Sequence, residues 1–440
     1  MMSSFQHYKQ LDNDRHSVAV LDDFFPNLLT AFRVAEFNWY LERFPRLTIY
    51  STHPNFKTVH AAYAQCYPQH ADRVRPYNES SLDDCAFAYM IFLNNAHHFL
   101  PALNSHNVPF LMTLYPGGGF GLGDPESDEK LDQVLGSPLL RGIIATQSVT
   151  LDYLKAKGCT VPIHDIYGGV INSIYFEGVT NNKQTLINSS AISICFVAER
   201  YMPQGANKGY PQFIEAAKQL IQEFPYLHFS VVGSFDADDI LLNNQLRDAI
   251  SFKGLLTTTN LKEFFLTQDI IISPNRPFVL CPGNFDGFPT GCCVEASLCG
   301  VAVVCSDELK LNRYYTDGVD IVICDPTPDS IVKAIGKLIH DPDLLMSIGA
   351  RGQGISQKIF DQKRQLGQRS ALLINALNGN GTHWITKLDG RIKTAEQPIA
   401  NQTNHIRSVD AELVKFQNSI CGKCSTGLSR LFSIIRGKRT

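Results

Sequence analysis

Short apolar runs alternate with longer amphipathic ones along most of the chain. SVAVLD (17–22) is followed by LLTAFRVAEFNWYLERF (28–44) and LTIYST (47–52), and later by CAFAYMIFL (85–93), VPFLMTLY (108–115) and GIIATQS (142–148). Runs of four to eight β-branched and aromatic residues predict strands, and the longer segments between them predict helices. Strand alternating with helix predicts βαβ units and a parallel sheet. After IYGGVINSIYF (166–176) comes EGVTNNKQTLINSS (177–190), polar and rich in turn formers, which predicts a linker.

A second series then begins. ISICFVAER (192–200), GYPQFIEAAKQLIQEF (209–224), LHFSVVGS (227–234), ISFKGLL (250–256), DIIISPN (269–275), VAVVCSD (301–307) and DIVICDP (320–326) repeat the strand–helix–strand pattern. The fold expected is α/β: two Rossmann-like, doubly wound parallel-sheet domains of similar size, facing each other across a cleft. The first spans 1–180, the second 181–354, and a helix within 355–385 crosses back to the first. Beyond residue 386 the periodicity ends. The final GLSRLFSIIRGKRT mixes Leu428, Leu431, Ile434 and Ile435 with Arg430, Arg436, Lys438 and Arg439. It reads as a solvated polar and basic tail (386–440), with a weak contact to a membrane surface as the alternative.

Composition narrows the picture. The 440 residues are 44% hydrophobic and 18% charged with a formal net charge of -3, as in a globular protein with sizeable cores and no field that favours nucleic acid. No apolar run approaches the ~20 residues that span a bilayer. The N-terminal MMSSFQHYKQLDNDRH is polar, and cysteines such as Cys195, Cys305 and Cys324 sit inside apolar strands. Both point to a reducing, cytoplasmic location, with any membrane contact peripheral.

Two stretches carry chemistry. In FVAERYMPQGANKGY, Arg200 and Lys208 flank a Gly/Pro/Asn loop that follows a strand, and Gly209 opens a helix. Ligands of open parallel sheets bind at the carboxyl ends of the strands. Two cations there suit a diphosphate, although the loop alone also fits two solvated surface cations. In PGNFDGFPTGCCVEASLCGVAVV, a loop with Asp286, Thr290 and Gly291 leads into a helix from Cys292 to Leu298, which Gly300 ends. The free N–H groups of such a helix start bind anions. Glu295, one turn in, suits a ribose, because a carboxylate accepts two hydroxyl hydrogen bonds. A plain reading of Glu295 alone is an acid favoured by the helix dipole.

The order FVAER…NKG, VVGS, FKGLL, DIIISPN, DGFPTGCCVEASLCGVAVV resembles the nucleotide-sugar domain of retaining GT-B glycosyltransferases of the GT4 type. The resemblance covers roughly residues 140–360 well and the first hundred loosely. It implies that Arg200 and Lys208 hold the donor diphosphate and that Glu295 holds the ribose. Asp286 through Gly291, with Thr290 and Cys292, would hold the transferred sugar, and the backbone of Gly254, Leu255 and Leu256 the base. It also implies a hexosyl-type transferase that takes a nucleoside-diphosphate sugar, UDP ahead of GDP. Configuration would be retained at a hydroxyl acceptor (a glycan, a lipid-linked sugar or a protein), with no cofactor and no metal.

Three departures stand out. The family usually has two Glu with seven residues between them, whereas here Asp286 and Glu295 have eight between. The family's Thr-x-His, whose His stands near the donor sugar, becomes Thr113-Leu114-Tyr115, where Tyr115 can still donate a hydrogen bond to the substrate but is a poorer proton carrier near neutral pH. The Pro116–Gly121 run that follows, with Gly118 at its centre, allows close backbone approach to a ligand and reads either as a mobile loop over the cleft or as an ordinary flexible turn. The double glycine after the first strand becomes Asp22-Asp23-Phe24-Phe25-Pro26-Asn27. These keep other readings open: an inverting GT-B enzyme, a nucleotide-sugar epimerase, or a catalytically silent scaffold. FDADD (235–239) imitates a metal-binding Asp-x-Asp but reads as hydrated acids in a turn. The pair His97-His98 reads as one packing residue and one acceptor-site candidate, and Cys421–Cys424 lacks the further ligands of a zinc site.

Overall fold

Val20 sits between Ile49 on one neighbouring strand and Tyr89 on the other, and all three are buried. The computed structural model describes residues 17–179 and 191–377. The first domain runs β1 (Ser17–Asp22), α1 (Ala31–Arg43), β2 (Leu47–Ser51), α2 (Phe56–Cys66), β3 (Val74–Pro76), β4 (Cys85–Ile91), α3 (Leu93–His106), β5 (Phe110–Leu114), α4 (Pro125–Leu135), β6 (Leu140–Ala145), α5 (Ser148–Ala156) and β7 (Ile163–Asp165). Its strands pair in parallel in the order β3-β2-β1-β4-β5-β6-β7.

The second domain runs β8 (Ser193–Val197), α6 (Tyr210–Glu223), β9 (His228–Val232), α7 (Asn244–Ala249), β10 (Ile250–Phe252), α8 (Thr258–Leu266), β11 (Ile270–Ser273), α9 (Gly291–Leu298), β12 (Ala302–Cys305), β13 (Val322–Ile323), α10 (Pro328–His340) and α11 (Pro342–Ile359); α12 (Gln362–Leu377) follows. This sheet is also parallel, in the order β10-β9-β8-β11-β12-β13. Strand order reverses between β1 and β4, and again between β8 and β11. Such a switch point opens a crevice at the carboxyl ends of the strands.

Sequence explains the elements locally. All five residues of β5 are buried, because helices cover both faces of a parallel sheet. In α6 the buried Phe213, Ile214, Ala217, Leu220 and Ile221 repeat at helical spacing and form one stripe. Thr327 and Asn243 cap α10 and α7 by accepting from the Ser330 and Leu246 N–H groups, at 3.4 and 2.8 Å.

The domains are tied together in several places. One apolar cluster contains Phe120, Tyr167 and Ile171 of the first domain with Phe285, Cys293 and Val294 of the second. Arg313 donates twice to Asp165, at 2.7 Å each, and Leu122 N–H donates to the Gly283 carbonyl at 2.8 Å. Leu345 and Ile348 keep α11 in the second domain's core. The return to the first domain is made by α12, whose Leu366 and Leu373 pack with Val18, Phe37 and Tyr40. No helix among the described residues is long and apolar enough to cross a membrane. The tail, its Cys421–Cys424 pair and most of the linker lie outside the described residues.

Candidate functional site

The loops that leave the carboxyl ends of β11 and β12 line a pocket that includes Ser273, Asn275, Asp286, Thr290 and Ser306, and the loop after β8 meets it where Lys208 contacts Asp286. After β8 the chain makes a short 3-10 turn (Pro203–Lys208) and enters α6 through Gly209, whose φ is +71°. A side chain at 209 would collide with the Pro274 carbonyl at the end of β11, so only glycine lets the two loops touch there. That contact holds Lys208 beside Asp286, which lines the pocket.

Lys208 is buried, and its Nζ donates to Asp286 Oδ1 at 2.6 Å. The Tyr201 ring lies 5.3 Å from the ammonium. Burial pulls the ammonium toward neutrality, but the Asp286 carboxylate outweighs it and holds Lys208 above the ordinary lysine range. The lysine is a fixed positive charge in a place of low dielectric.

Asp286 opens the loop that ends at α9. Thr290 occupies the N-cap position, yet its side chain makes no capping hydrogen bond. Its Oγ1 stands 3.4 Å from Ser273 Oγ and 3.2 Å from Cys292 Sγ instead. The first-turn N–H groups of α9 thus have no side-chain cap and remain available to an anion. Gly291 is exposed at this start, against Ile171 of the first domain. The Cys293 thiol first and burial second keep the Cys292 thiol well above its usual range, so it is a neutral group beside the lysine.

Glu295, one turn further, is half-buried and has no side-chain hydrogen bond or ion pair among the described residues. Burial, and then Cys292, push its carboxyl up to about 8. An unpartnered carboxyl in such a place is a group waiting for donors.

Arg200 stands apart from this cluster. Its Nη1 donates to Asp239 Oδ1 in the turn after β9. FDADD is accordingly more than hydrated acids in a turn. Asp239 Oδ2 also accepts from Asp236 N–H at 2.8 Å, and the side chain is only 12% exposed. Nothing in the local sequence announces this pairing, which joins the ends of two strands. Gly254, at φ +66°, accepts from Gly233 N–H at 2.9 Å, and Leu255 beside it is exposed while Leu256 packs inward. An exposed leucine at the rim suits the face of a planar base.

The first domain contributes less than its motifs suggest. The structure corrects the reading of Tyr115 as a stand-in for a cleft histidine. Tyr115 is buried, its hydroxyl donates to Glu36 Oε2 at 3.3 Å, and Arg369 Nη2 donates to it at 3.4 Å. Burial pushes the phenol up, so it carries no proton traffic near neutral pH. Gly118 does not form an open flap either. Its carbonyl accepts from Asn94 N–H at 2.9 Å, and a side chain there would strike the Phe92 ring. The glycine run is a fixed bridge whose far end, Leu122, reaches Gly283. His97 and His98 lie on the outer side of α3. His97 Nε2 is 3.0 Å from Gln133 Oε1, and the His98 ring stands edge-on to Phe99.

Known proteins show the same architecture. HepE from Anabaena, crystallised with UDP, aligns with a TM-score of 0.62 at 16% identity, over 82% of this chain and all of that one. Sucrose-phosphate synthase from Thermosynechococcus elongatus gives 0.58 at 13%, and a glycosyltransferase from Rickettsia africae 0.60 at 13%; each spans 83% of this chain and all of the other. No curated protein sequence matches. The fold is GT-B, and residues 181–354, which hold Lys208, Asp286, Thr290 and Glu295, match the family of glycosyl transferases group 1.

Proposed function

We propose that the protein transfers a hexose from a nucleoside-diphosphate sugar to a hydroxyl acceptor, with retention of configuration and without a metal. One observation carries the reading: buried Lys208, paired with half-exposed Asp286, lies at the mouth of an uncapped helix, with an unpartnered carboxyl one turn inside. Arg200, Lys208 and the α9 start would take the diphosphate, Glu295 the ribose, Leu255 the base, and Asp286 with Thr290 the sugar. HepE was also crystallised with UDP-glucose and with UDP and glucose, which makes UDP-glucose the first donor to try.

In the reaction the bond from the anomeric carbon to the phosphate oxygen breaks, and one from that carbon to the acceptor oxygen forms on the same face. The acceptor proton passes to the leaving phosphate. The protein's task is to stabilise the charge that grows on that phosphate, and a preorganised ammonium does so without reorganisation. Analysis of the product's anomeric configuration by NMR tests retention; an inverted product overturns it. We place the enzyme in the cytoplasm, because cysteines such as Cys195 and Cys305 are buried inside apolar strands as small hydrophobic side chains.

Glu295 gives a pH-dependent test. A ribose needs the ionised carboxylate as acceptor, so binding must release the proton held up to about 8. UDP affinity is expected to rise about tenfold between about pH 6.5 and 8. Glu295→Gln should bind more weakly at pH 8 and lose that share of the slope, while titration of the phosphate stays common to both proteins. Without nucleotide the sign is opposite. A raised carboxyl contributes its stability below the unfolded value of 4.5 and loses it as pH climbs through about 8. The melting temperature of Glu295→Gln should therefore gain on the wild type as pH rises. Calorimetry and thermal melts across this range check both, and parallel curves would remove Glu295 from the ribose site.

A further inference from the structure

Two carboxylates hold the two cations of the donor loop, and only one of the pairs lies with the pocket cluster. Lys208 meets Asp286 beside α9, whereas Arg200 is drawn to Asp239 on the loop after β9. The Asp239 carboxylate is itself fixed, since its other oxygen accepts the Asp236 N–H. Arg200 is the looser partner: its side chain is 33% exposed against 12% for Asp239. Among the described residues Asp239 is the only side chain to which Arg200 donates. A guanidinium has five N–H donors on a long stem and can change partners without moving the backbone.

We propose that Asp239 is a resting partner of Arg200 with which the donor's diphosphate competes. This rests on the donor site described above. A diphosphate gripped by Arg200 while Asp239 still holds it would bring two or more negative charges close to a fixed carboxylate, and like charges so placed repel. Exchange of the carboxylate for the phosphate avoids that repulsion. The exchange also filters ligands. A single weak anion gains little by displacing a carboxylate, whereas linked phosphates engage Lys208 and the α9 start at the same time. Asp239 is thus a positioning residue that sets selectivity for diphosphates over simpler anions and favours release of the nucleotide product.

The test is a double-mutant cycle by calorimetry at fixed ionic strength, with UDP, GDP and inorganic pyrophosphate as probes. Asp239→Asn should bind UDP and pyrophosphate about three- to tenfold more tightly than the wild type. In the Arg200→Ala background the same change should have no effect. Donor KM should fall in Asp239→Asn while kcat does not rise, which a merely structural role would not produce. Equal or weaker binding by Asp239→Asn, or an equal gain without Arg200, overturns the proposal. If UDP binds the wild type and Asp239→Asn alike, only this inference fails. If none of the probes binds the wild type, the donor site fails with it. Should Asp239→Asn not fold, arginine side-chain NMR of the wild type decides. The guanidinium signal assigned by its absence in Arg200→Lys must shift on pyrophosphate addition, and a signal that stays in place counts against the exchange.

Discussion

Lys208→Ala is expected to lower turnover of the nucleotide sugar by a factor of about 10²–10³, the usual loss when one preorganised charge donor is removed. The ammonium is buried, so its field on a leaving phosphate is poorly screened. Two effects of the substitution must be kept apart. Asp286 loses its partner, but its side chain is 32% exposed and water can take the lysine's place. That stability cost is about 1 kcal/mol, smaller than the roughly 3–4 kcal/mol of lost transition-state stabilisation. At 25 °C the variant should be folded and slow. Steady-state donor hydrolysis and a thermal melt on the same preparation separate the two. Lys208→Arg should recover only part of the rate, because a planar fork does not fit a site packed around a point charge. Turnover of Lys208→Ala within about threefold of wild type would take Lys208 out of the mechanism.

Much of this arrangement was legible in the sequence, for identifiable reasons. The central strands are apolar on both faces, so SVAVLD, FLMTL and ISICFV stand out against any background. The edge strands β3 and β7 are three residues long and mostly lie at the surface or half-exposed, and such segments leave no periodic signal. In the second domain, loop chemistry and strand order coincide, so a local reading of NKGY and DGFPTGCCVE picks out two loops that meet where Lys208 pairs with Asp286. The first domain resisted for a physical reason. Whether the side chain after β5 faces the cleft or the core depends on which partners the far ends of the chain bring to it. Tyr115 turns inward because Glu36 on α1 and Arg369 on α12 offer it buried hydrogen bonds. The Arg200–Asp239 pair was hidden likewise: a turn rich in aspartate looks solvated until the neighbouring strand supplies a cation.

That inward network leads to the second large effect, on stability. Arg369 and Glu36 are both fully buried, with Arg369 Nε 4.0 Å from Glu36 Oε1. Glu36 also accepts from the Tyr40 and Tyr89 hydroxyls, at 3.0 and 2.5 Å. Arg369 donates to Gln365 Oε1 at 2.6 Å and to the Gly168 carbonyl at 3.4 Å. Burial first, then Glu36, push the phenols of Tyr40 and Tyr89 well up, so they act as donors throughout the physiological range. Removing one member of a buried pair leaves the other without compensation, which typically costs 3–5 kcal/mol. For a domain of this size, that corresponds to a fall of about 6–20 °C in melting temperature for Arg369→Ala. Glu36→Gln/Arg369→Met should restore much of the loss, because it leaves no orphaned charge. A drop below about 2 °C for Arg369→Ala would show that the pair is not holding α12 in place. The network reaches the donor site only indirectly, through Gly168 between the domains and through Tyr115, which precedes the glycine bridge to Gly283. Below its melting temperature Arg369→Ala should therefore keep UDP affinity within about threefold of wild type, whereas Lys208→Ala, still folded, should not. The crossed pattern, one variant unstable but competent and the other stable but slow, is what a frame closed by α12 around the separate phosphate site proposed here requires.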